Sequence, residues 1–417
     1  MNIIKLITGS RDAVYTEQIA ERNAARRGMT SSAPADRFFS SYQRNLCSTV
    51  ISGGSSAERA VVANGLLLQF VREGYSVAII HCGSEQIFNV SPNYPFTAVM
   101  PDGQALRCDL FANKDTDELV DMLNFVSGKV MQEGSKLNGM WSLISDILAA
   151  TDATVDIVSI TDFPCRNVSE YLRSLQNRGA LTDEFILSSL DILNSMSPDV
   201  PNVAAQVLYR LKDNAAMMRG SGRAVSLADV LRAGGAATLN VGFDSNILMK
   251  ELIFQELIRL SRSNRILTVI DGLSAPADAK SMCDYLRSHA PGNSFIYMGS
   301  DVPAMLNDQP GTLESITTND VNTVVFSHSS NAGRKFFSEY FGEYWHTVME
   351  KSTNQTRSST SIFTNSRTTG STTREERRPV VSEQQIRQLS YGVALVSAPA
   401  LKKRGKIKFE VKDVSPC

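Results

Sequence analysis

The chain lacks the features that mark metal-binding, disulfide-stapled and membrane-spanning proteins. No C-x-x-C pair and no cluster of histidine and cysteine occurs, so neither a metal site nor a disulfide framework is predicted. The cysteines are therefore expected to be reduced and mostly buried in a cytoplasmic protein; they are scattered singly, at Cys47, Cys82, Cys108, Cys165, Cys283 and Cys417.

Long apolar runs are also missing. No segment reaches the roughly 18 consecutive apolar residues that a transmembrane helix needs. The apolar run near the start of the chain is too short for a secretory signal. We therefore expect a cytoplasmic protein whose contact with the inner face of a membrane, if it has one, is provided by partners.

Excess charge of either sign is absent as well. The 42 Lys and Arg residues and 43 Asp and Glu residues leave a formal net charge of −1. No global basic field would draw such a chain onto nucleic acid, so DNA contact would need a local patch or a partner. The charged share of 20% and hydrophobic share of 42% are those of a globular protein. A length of 417 residues favours two or three domains.

Strand-like and helix-like patterns alternate along most of the chain. "LCSTVISG" predicts a buried strand, "AERAVVANGLLLQFVREG" a helix that ends at Gly74, and "YSVAIIHCG" a second strand. Continuous apolar runs such as Val77 to Ile80 are typical of strands covered on both faces. Further strands are predicted at 236–242, 265–272, 294–299 and 322–328. This order predicts an α/β fold with a mostly parallel sheet.

Two segments break the alternation. Residues 131–221 contain successive amphipathic helical patterns with few strand signals, which predicts an all-helical insertion domain. Residues 351–378 are rich in Ser, Thr, Asn and Arg with almost nothing to bury, which predicts a flexible loop. The predicted organisation is a peripheral, partly helical lead-in (1–45), a first core part (46–130), the helical insertion (131–221), a second core part (222–350), the loop (351–378), and a closing helix and hairpin (379–417).

The stretch "VISGGSSAERA" follows the strand, glycine-rich loop and helix order of a phosphate-binding loop, G-x-x-x-x-G-K-[ST]. A working loop cradles phosphates with backbone N–H groups, places a lysine on the β- and γ-phosphates and offers a hydroxyl to Mg²⁺. The first four positions keep the turn chemistry and small size, and the last three depart from the motif. The candidate nucleotide-binding remnant is Gly53, Gly54, Ser55, Ser56, Glu58, Arg59 and Ala60.

The departures weaken the expected phosphate site. Glu58 replaces the second glycine, and a carboxylate about 4 Å from a phosphate charge repels it by roughly 1 to 4 kcal/mol. Arg59 keeps the positive charge but not the compact ammonium of lysine. Ala60 has no oxygen for a metal ion. Triphosphate is therefore expected to bind poorly unless Glu58 turns into solvent.

Beyond the fold class, the chain resembles the TraG/TraD-like type IV coupling proteins, in the FtsK–HerA group of DNA-pumping ATPases with a RecA-like P-loop core. The similarity lies in the loop at 53–60, in "SLADVLRAGGAATLNVGFDSNILMKELIFQELI", in "FFSEYFGEYW" and in "RPVVSEQQIRQLSYGVALVSAPALKKRGKIKF". These segments together span most of residues 45–412. The membrane helices of the family have no counterpart in the sequence.

The resemblance assigns a second set of positions. In "RILTVIDG", Asp271 matches the Walker B aspartate that holds the water shell of Mg²⁺, and it is the one candidate catalytic residue. An aspartate that only caps the turn after the strand is the alternative. Gly272 stands where the family carries its catalytic glutamate, and "SFIYMGSD" has Ser300 and Asp301 where the family has a phosphate-sensing glutamine. Loss of one positioned group typically costs about 10² to 10⁴ in rate.

Three functions follow from this combination. The first is a pseudo-ATPase that assembles with homologous or heterologous ATPase subunits, or recruits DNA or protein cargo, for a secretion or conjugation apparatus. The second is an active DNA-translocating ATPase that uses Arg59 and Asp271. The third is a structural protein on the same fold without a nucleic acid partner. The resemblance implies ATP and Mg²⁺ as cofactors, and the replaced residues predict weak binding or none.

Overall fold

A computed structural model of the chain describes residues 32–34, 46–82, 95–131, 137–151, 153–220, 223–242, 247–288, 293–318, 320–356, 366–399 and 403–411. The strands in chain order are β1 (Ser32–Pro34), β2 (Thr49–Ser52), β3 (Ser76–His81), β4 (Phe96–Val99), β5 (Ala105–Cys108), β6 (Ala224–Val225), β7 (Ala236–Asn240), β8 (Ile266–Asp271), β9 (Asn293–Gly299), β10 (Asn322–Val325), β11 (Glu343–Thr356), β12 (Ser366–Pro379), β13 (Val393–Ala398) and β14 (Lys403–Lys408).

Helices separate most of the strands. They are α1 (Ser56–Arg72), α2 (Thr116–Val130), α3 (Asn138–Ala150), α4 (Ile157–Thr161), α5 (Val168–Asn177), α6 (Asp183–Ser195), α7 (Val200–Asn214), α8 (Leu227–Arg232), α9 (Ile247–Leu260), α10 (Lys280–Arg287), α11 (Val302–Met305), α12 (Pro310–Ile316), α13 (Asn331–Phe341) and α14 (Glu383–Arg387). Short 3₁₀ helices lie at Cys165–Asn167 and Ala216–Met218.

One large sheet organises the fold. Its twelve strands follow the order β1-β14-β13-β10-β2-β9-β8-β3-β7-β4-β5-β6. The central strands β10, β2, β9, β8, β3 and β7 run parallel to one another, and antiparallel β13 and β4 flank them on the two sides. The predicted α/β class with a mostly parallel sheet is therefore confirmed. Because the carboxyl ends of these parallel strands meet at one edge, loops that follow them converge there.

The apolar strand runs are buried on both faces, as their continuity predicts. Along β3, Val77 and Ile79 belong to a core cluster with Leu66 of α1. Ala78 and Ile80, which alternate with them, belong to the cluster on the opposite face. Successive side chains of a strand point to opposite faces, so helices must cover both sides of this strand.

The described part of residues 131–221 contains helices and no strand. Its core does not stop at the sheet, because Trp141 and Val207 belong to the same cluster as Ile80 and Ile270. The indole N–H of Trp141 also donates to Ser127 Oγ of α2 at 2.9 Å. The helical segment therefore shares its core with one face of the sheet, and its boundaries as a separate domain stay a prediction.

A buried ion-pair cluster joins the region around β5 to the interior and the end of this helical segment. Arg107 of β5 lies 3.3 Å from Asp109 and 3.1 Å from Asp156, and it donates to the carbonyl of Met218 at 2.6 Å. Asp109 accepts from the Ile157 N–H at 3.0 Å. Burial raises the pKa of Asp109 to about 6, although its hydrogen bonds and the charge of Arg107 oppose the shift.

Several strands were not predicted. β4 and β5 are short and antiparallel, and they continue the sheet beyond β7 through the turn in "MPDGQ". β6 contributes two residues parallel to β5. In the predicted lead-in, β1 extends the sheet parallel to β14, whereas the predicted helical content of 1–45 lies outside the described residues. Strands of two to four residues are too short to show a period in the sequence.

The predicted flexible loop at 351–378 is wrong for its described residues. Positions 351–356 and 366–378 are parts of β11 and β12, which form a separate antiparallel sheet with fourteen-residue strands. Residues 357–365 lie outside the described part. Threonine recurs in both strands, and its branched Cβ favours extended backbone. A two-stranded ladder pairs backbone groups without needing the alternating apolar pattern that marks a half-buried strand.

The end of the chain agrees with its prediction. Ser382 caps α14, and its side chain accepts from the Gln385 N–H. β13 and β14 pair antiparallel and extend the main sheet next to β10. Within the described residues, none of the helices combines the length and the apolarity required to cross a membrane.

The shared core predicts that helical segment and sheet unfold together. The chain has 2 tryptophans, so Trp345→Phe leaves buried Trp141 as the single fluorescent reporter of the helical segment. We expect its fluorescence and the far-UV circular dichroism to change at the same urea concentration, because one core is lost in one step. The reciprocal variant Trp141→Phe is the control. A fluorescence transition that precedes the loss of secondary structure would show an independently folding domain.

The raised pKa of Asp109 predicts a pH dependence. Because the folded pKa of about 6 lies above the ordinary 3.8, the folded state binds the proton more tightly than the unfolded state. The contribution of Asp109 to stability is thus full below pH 3.8 and falls as the pH rises towards 6. Urea unfolding across this range should show that fall in the wild type and not in Asp109→Asn. The exposed Asp213→Asn is the control, and equal pH slopes in wild type and Asp109→Asn would contradict the assignment.

Candidate nucleotide-binding site

The predicted site residues converge at the carboxyl edge of the sheet. β2 ends at Ser52 and runs into the glycine turn before α1, and β8 ends at Asp271. One strand, β9, lies between them, with Gly299 opposite Ser52 and Met298 opposite Asp271. Since neighbouring strands are about 4.8 Å apart, the two strand ends lie roughly 10 Å from each other.

Two consecutive glycines make the turn. Gly53 and Gly54 have φ values of 85° and 64°, a left-handed conformation that glycine adopts without strain. Their N–H groups donate to the carbonyls of Gly299 at 3.0 Å and Ser327 at 2.8 Å. A Cβ atom on Gly53 would lie 2.4 Å from the ring of His328. The turn is therefore kept, but both of its glycine N–H groups are bonded within the protein.

Glu58 does not turn into solvent. It is 5% exposed, and its carboxylate completes a capping box at the start of α1. Oε2 accepts from the N–H of Ser55 at 2.8 Å and from its hydroxyl at 3.0 Å, while Oε1 accepts from the Gly392 N–H at 2.7 Å. The Glu58 N–H donates back to Ser55 Oγ at 3.2 Å. The carboxylate thus occupies donors that face the turn.

Arg59 also bonds within the loop. Its guanidinium donates to the carbonyls of Gly53 at 3.2 Å and Gly54 at 2.8 Å, and the residue is 9% exposed. Burial lowers the pKa of Arg59, whereas the carboxylates of Asp271 and Glu58 oppose that change. An arginine in this setting stays protonated. The one cation of the loop is therefore used to hold the loop itself.

The remaining loop residues place no hydroxyl group at the position where the motif has its Mg²⁺ ligand. Ser55 is the N-cap of α1, and Ser56 is the first residue of that helix. Ala60 is buried and presents a methyl group where the motif has a hydroxyl. Among the residues that the structure describes, no group of three His, Cys, Asp or Glu side chains is placed to hold a metal ion.

Asp271 lies at the end of its strand beside a second left-handed glycine. It is 2% exposed. Gly272 has φ 71°, and a Cβ atom there would lie 3.2 Å from Cys82 Sγ, which itself donates to the Gly272 carbonyl at 3.0 Å. Burial raises the pKa of the Cys82 thiol, Asp271 adds to the rise and Lys250 opposes it. Asp271 and a buried lysine therefore flank the same thiol.

Three residues near the site were missed in the sequence: His328, Gly392 and Lys250. Lys250 could have been singled out from the sequence, because it is a cation within the mostly apolar helical pattern "ILMKELIF". It is 5% exposed, and burial lowers its pKa. His328 is the last residue of the predicted strand 322–328, at the edge where loops of parallel strands meet. Gly392 gave no local signal.

His328 is buried, and both of its ring nitrogens are hydrogen-bonded. Its Nδ1 lies 2.9 Å from the Phe326 carbonyl and its Nε2 lies 2.9 Å from Ser52 Oγ. Ser52 Oγ in turn accepts from the Val302 N–H at 3.0 Å. Nδ1–H must donate to the carbonyl, which leaves Nε2 to accept from the serine. Burial lowers the pKa of His328, consistent with this neutral form.

Asp301, which stands in place of the sensing glutamine, is used to build helices. Its carboxylate caps α11 by accepting from the Ala304 N–H at 3.2 Å. It also accepts from the Ser330 hydroxyl, whose oxygen caps α13 through the Gly333 N–H at 3.0 Å. The position thus joins the ends of β9 and β10 structurally.

The close approach of His328 predicts a large cost for filling Gly53. Gly53→Ala should lower the free energy of unfolding by more than about 3 kcal/mol, because left-handed strain adds to a steric clash. Gly74→Ala is the matched control: Gly74 has φ 80° with no atom within 4 Å of an added Cβ. That control should cost about 1 to 2 kcal/mol. Equal losses in urea unfolding would show that His328 does not restrict the turn.

Comparison with known proteins yields structural matches only. No protein-family model matches the chain, and no curated protein matches it. The bacterial conjugative coupling protein TrwBΔN70 in its unbound monoclinic form superimposes with a TM-score of 0.52 at 14% identity, covering 88% of this chain and 86% of that one. TrwB with the ATP analogue ADPNP superimposes with a TM-score of 0.51 at 14% identity, covering 89% of each chain. TrwB with the GTP analogue GDPNP superimposes with a TM-score of 0.51 at 14% identity, covering 95% of this chain and 94% of that one.

These matches cover nearly the whole of both chains, so the similarity is not limited to the common P-loop core. The resemblance to type IV coupling proteins that the sequence indicated is confirmed at the level of the fold. The chain has the RecA-like P-loop fold of the conjugative coupling protein TrwB.

Proposed function

We propose that the chain is a pseudo-ATPase subunit of a type IV secretion or conjugation apparatus, which assembles with homologous or heterologous ATPase subunits. One observation carries the proposal: the guanidinium of Arg59 donates to the carbonyls of its own loop, Gly53 and Gly54. A lysine at this position of a working loop reaches the β- and γ-phosphates instead. A cation that is already bonded and buried must break those bonds before it can bind phosphate.

Two further positions support the absence of hydrolysis. Ala60 cannot coordinate Mg²⁺, and Gly272 cannot position a water molecule. The backbone at Gly272 also resists the return of a glutamate, because its φ of 71° and its contact with Cys82 both disfavour a side chain. Both the left-handed backbone at position 272 and the neighbouring Cys82 side chain therefore favour glycine there.

The relation to TrwB supports the choice of apparatus. TrwB is a plasmid coupling protein whose structure is known in complex with the ATP analogue ADPNP. A chain that keeps the fold but lacks the lysine, the hydroxyl and the glutamate can still offer the surfaces by which such subunits assemble. Cargo contact through the helical segment fits the same role, since Leu187 of α6 and Tyr209 of α7 are 65% and 64% exposed.

An active DNA-translocating ATPase is the second candidate. It is favoured by the charge of Asp271, which acts on Arg59 strongly enough to oppose the fall of its pKa. The charge of Asp271 therefore acts on the cation that this candidate requires. The same binding experiment distinguishes the candidates.

We expect no rise in melting temperature when Mg-ATP is added to the wild-type chain. A ligand at about 100 times its Kd stabilises a protein by roughly 2.7 kcal/mol. Glu58→Gly, Arg59→Lys and Ala60→Thr together should create an ATP response, since they provide room, a compact cation and a metal ligand. Gly272 is left unchanged because glutamate there would be strained.

The control is the same triple variant with Gly54→Asp, which places a negative charge in the turn and should abolish the response. The wild-type chain should also co-purify with an intact P-loop coupling ATPase of the same organism while showing no ATP turnover alone. Turnover or a clear Mg-ATP response of the wild type would support the translocase instead.

A further inference from the structure

We infer that the carboxylate of Glu58 is the resident anion of the glycine turn: it replaces a bound phosphate and joins the loop permanently to the turn before β13. The inference rests on the proposed function, because it explains why the site needs no nucleotide. It assigns to Glu58 the role of an intramolecular ligand, and it names phosphate or carboxylate as the chemistry that could take its place.

The Glu58 carboxylate lies where a bound anion would contact the glycine turn. A Cβ atom on Gly54 would lie 2.8 Å from Glu58 Oε2, so the oxygen rests directly over the left-handed turn. It accepts there from the N–H and the hydroxyl of Ser55 at 2.8 and 3.0 Å. Left-handed turns and helix N-termini favour anions because their N–H groups and dipoles point at the ligand.

The Glu58 carboxylate also binds a donor that is distant in the sequence. Glu58 Oε1 accepts from the Gly392 N–H at 2.7 Å, across 334 residues of sequence. Gly392 is fixed on its other side, because its carbonyl accepts from the Phe409 N–H at 2.7 Å. Its φ is 74°, and a Cβ atom there would lie 2.7 Å from the Phe409 carbonyl. The end of β14, the turn and the loop are thus connected through one carboxylate.

A comparison within the chain separates this contact from ordinary helix capping. α14 has a capping box of the same type, in which Gln385 accepts from the Ser382 N–H at 2.8 Å. Gln385 is exposed, whereas Glu58 is 5% exposed. A buried carboxylate is costly unless several donors compensate it. Glu58 has three donor groups: two belong to Ser55, the N-cap of its own helix, and the third is the N–H of the distant Gly392.

The same donors predict what could replace the side chain. If Glu58 is truncated, the N–H groups of Ser55 and Gly392 lose a buried acceptor, which is unfavourable. A small oxyanion of the phosphate or carboxylate class can restore both bonds, because it offers several oxygens in the space that the side chain leaves. Chloride is a single acceptor atom, so it cannot place two separate oxygens against the Ser55 and Gly392 N–H groups as a carboxylate or phosphate does.

Amide hydrogen exchange tests the contact directly. In Glu58→Ala, the amide of Gly392 should exchange at least about tenfold faster than in the wild type, since its acceptor is gone. The amide of Val393, which donates to the Ser390 carbonyl at 2.9 Å, is the internal control and should not change. Gln385→Ala should leave both amides unchanged. Unaltered exchange at Gly392 in Glu58→Ala would overturn the inference.

Thermal unfolding with added anions tests the exchange of ligands. The melting temperature of Glu58→Ala should rise with the logarithm of inorganic phosphate concentration, and also with formate, relative to sodium chloride at the same ionic strength. Wild type and Gln385→Ala should give no such slope. Glu58→Gln covers the case in which alanine prevents folding: its amide has one acceptor oxygen and turns an N–H₂ group towards the other donor site, so the amide of Gly392 or that of Ser55 should exchange faster.

The outcomes distinguish this inference from the function on which it rests. A Mg-ATP response of the wild type would overturn the proposed function and the inference together. A wild type that ignores Mg-ATP, combined with a Glu58→Ala variant that ignores phosphate and formate, would overturn the inference alone.

Discussion

The left-handed turn at Gly53 and Gly54 is the constraint on which the site depends. The turn brings the chain from the end of β2 into α1 while its N–H groups bond to the ends of β9 and of the segment after β10. His328 fills the space beside Gly53 and leaves no room for a side chain. Once this turn is fixed, its carbonyls face Arg59 and its outer side faces Glu58. The directions of both charged side chains are therefore consequences of the glycine pair.

This geometry changes the meaning of the substitutions in the loop. Judged against a phosphate-binding motif, Glu58 and Arg59 are two separate losses. In the structure each is buried and bonded to groups that a nucleotide would otherwise occupy or approach. Replacing either side chain alone leaves buried donors or acceptors without a partner, which lowers stability more than the loss of an exposed charged side chain would. The loop is thus consistent as a closed structural element.

Short stretches of sequence were sufficient to predict those elements whose formation depends on neighbouring residues. The apolar run in β3, the helix that ends near Gly74 and the cap at Ser382 follow from neighbouring residues, and the structure contains all three. The hairpin of β11 and β12 was missed because its strands pair with each other and carry no apolar alternation. The bond from Glu58 to Gly392 could not be predicted, since 334 residues separate the two partners.

The charges at the sheet edge lead to the same conclusion as the loop geometry. A bound nucleotide brings several negative charges, which a working site meets with a lysine and a divalent cation. The cation that the loop retains is Arg59, and the carboxylates of Glu58 and Asp271 already act on it. Lys250 is buried near Cys82, where its charge opposes the effect of Asp271 on the thiol. Arg59 therefore already has two anionic neighbours within the protein, and an added phosphate would have to compete with carboxylates that are held in place at no entropic cost of binding.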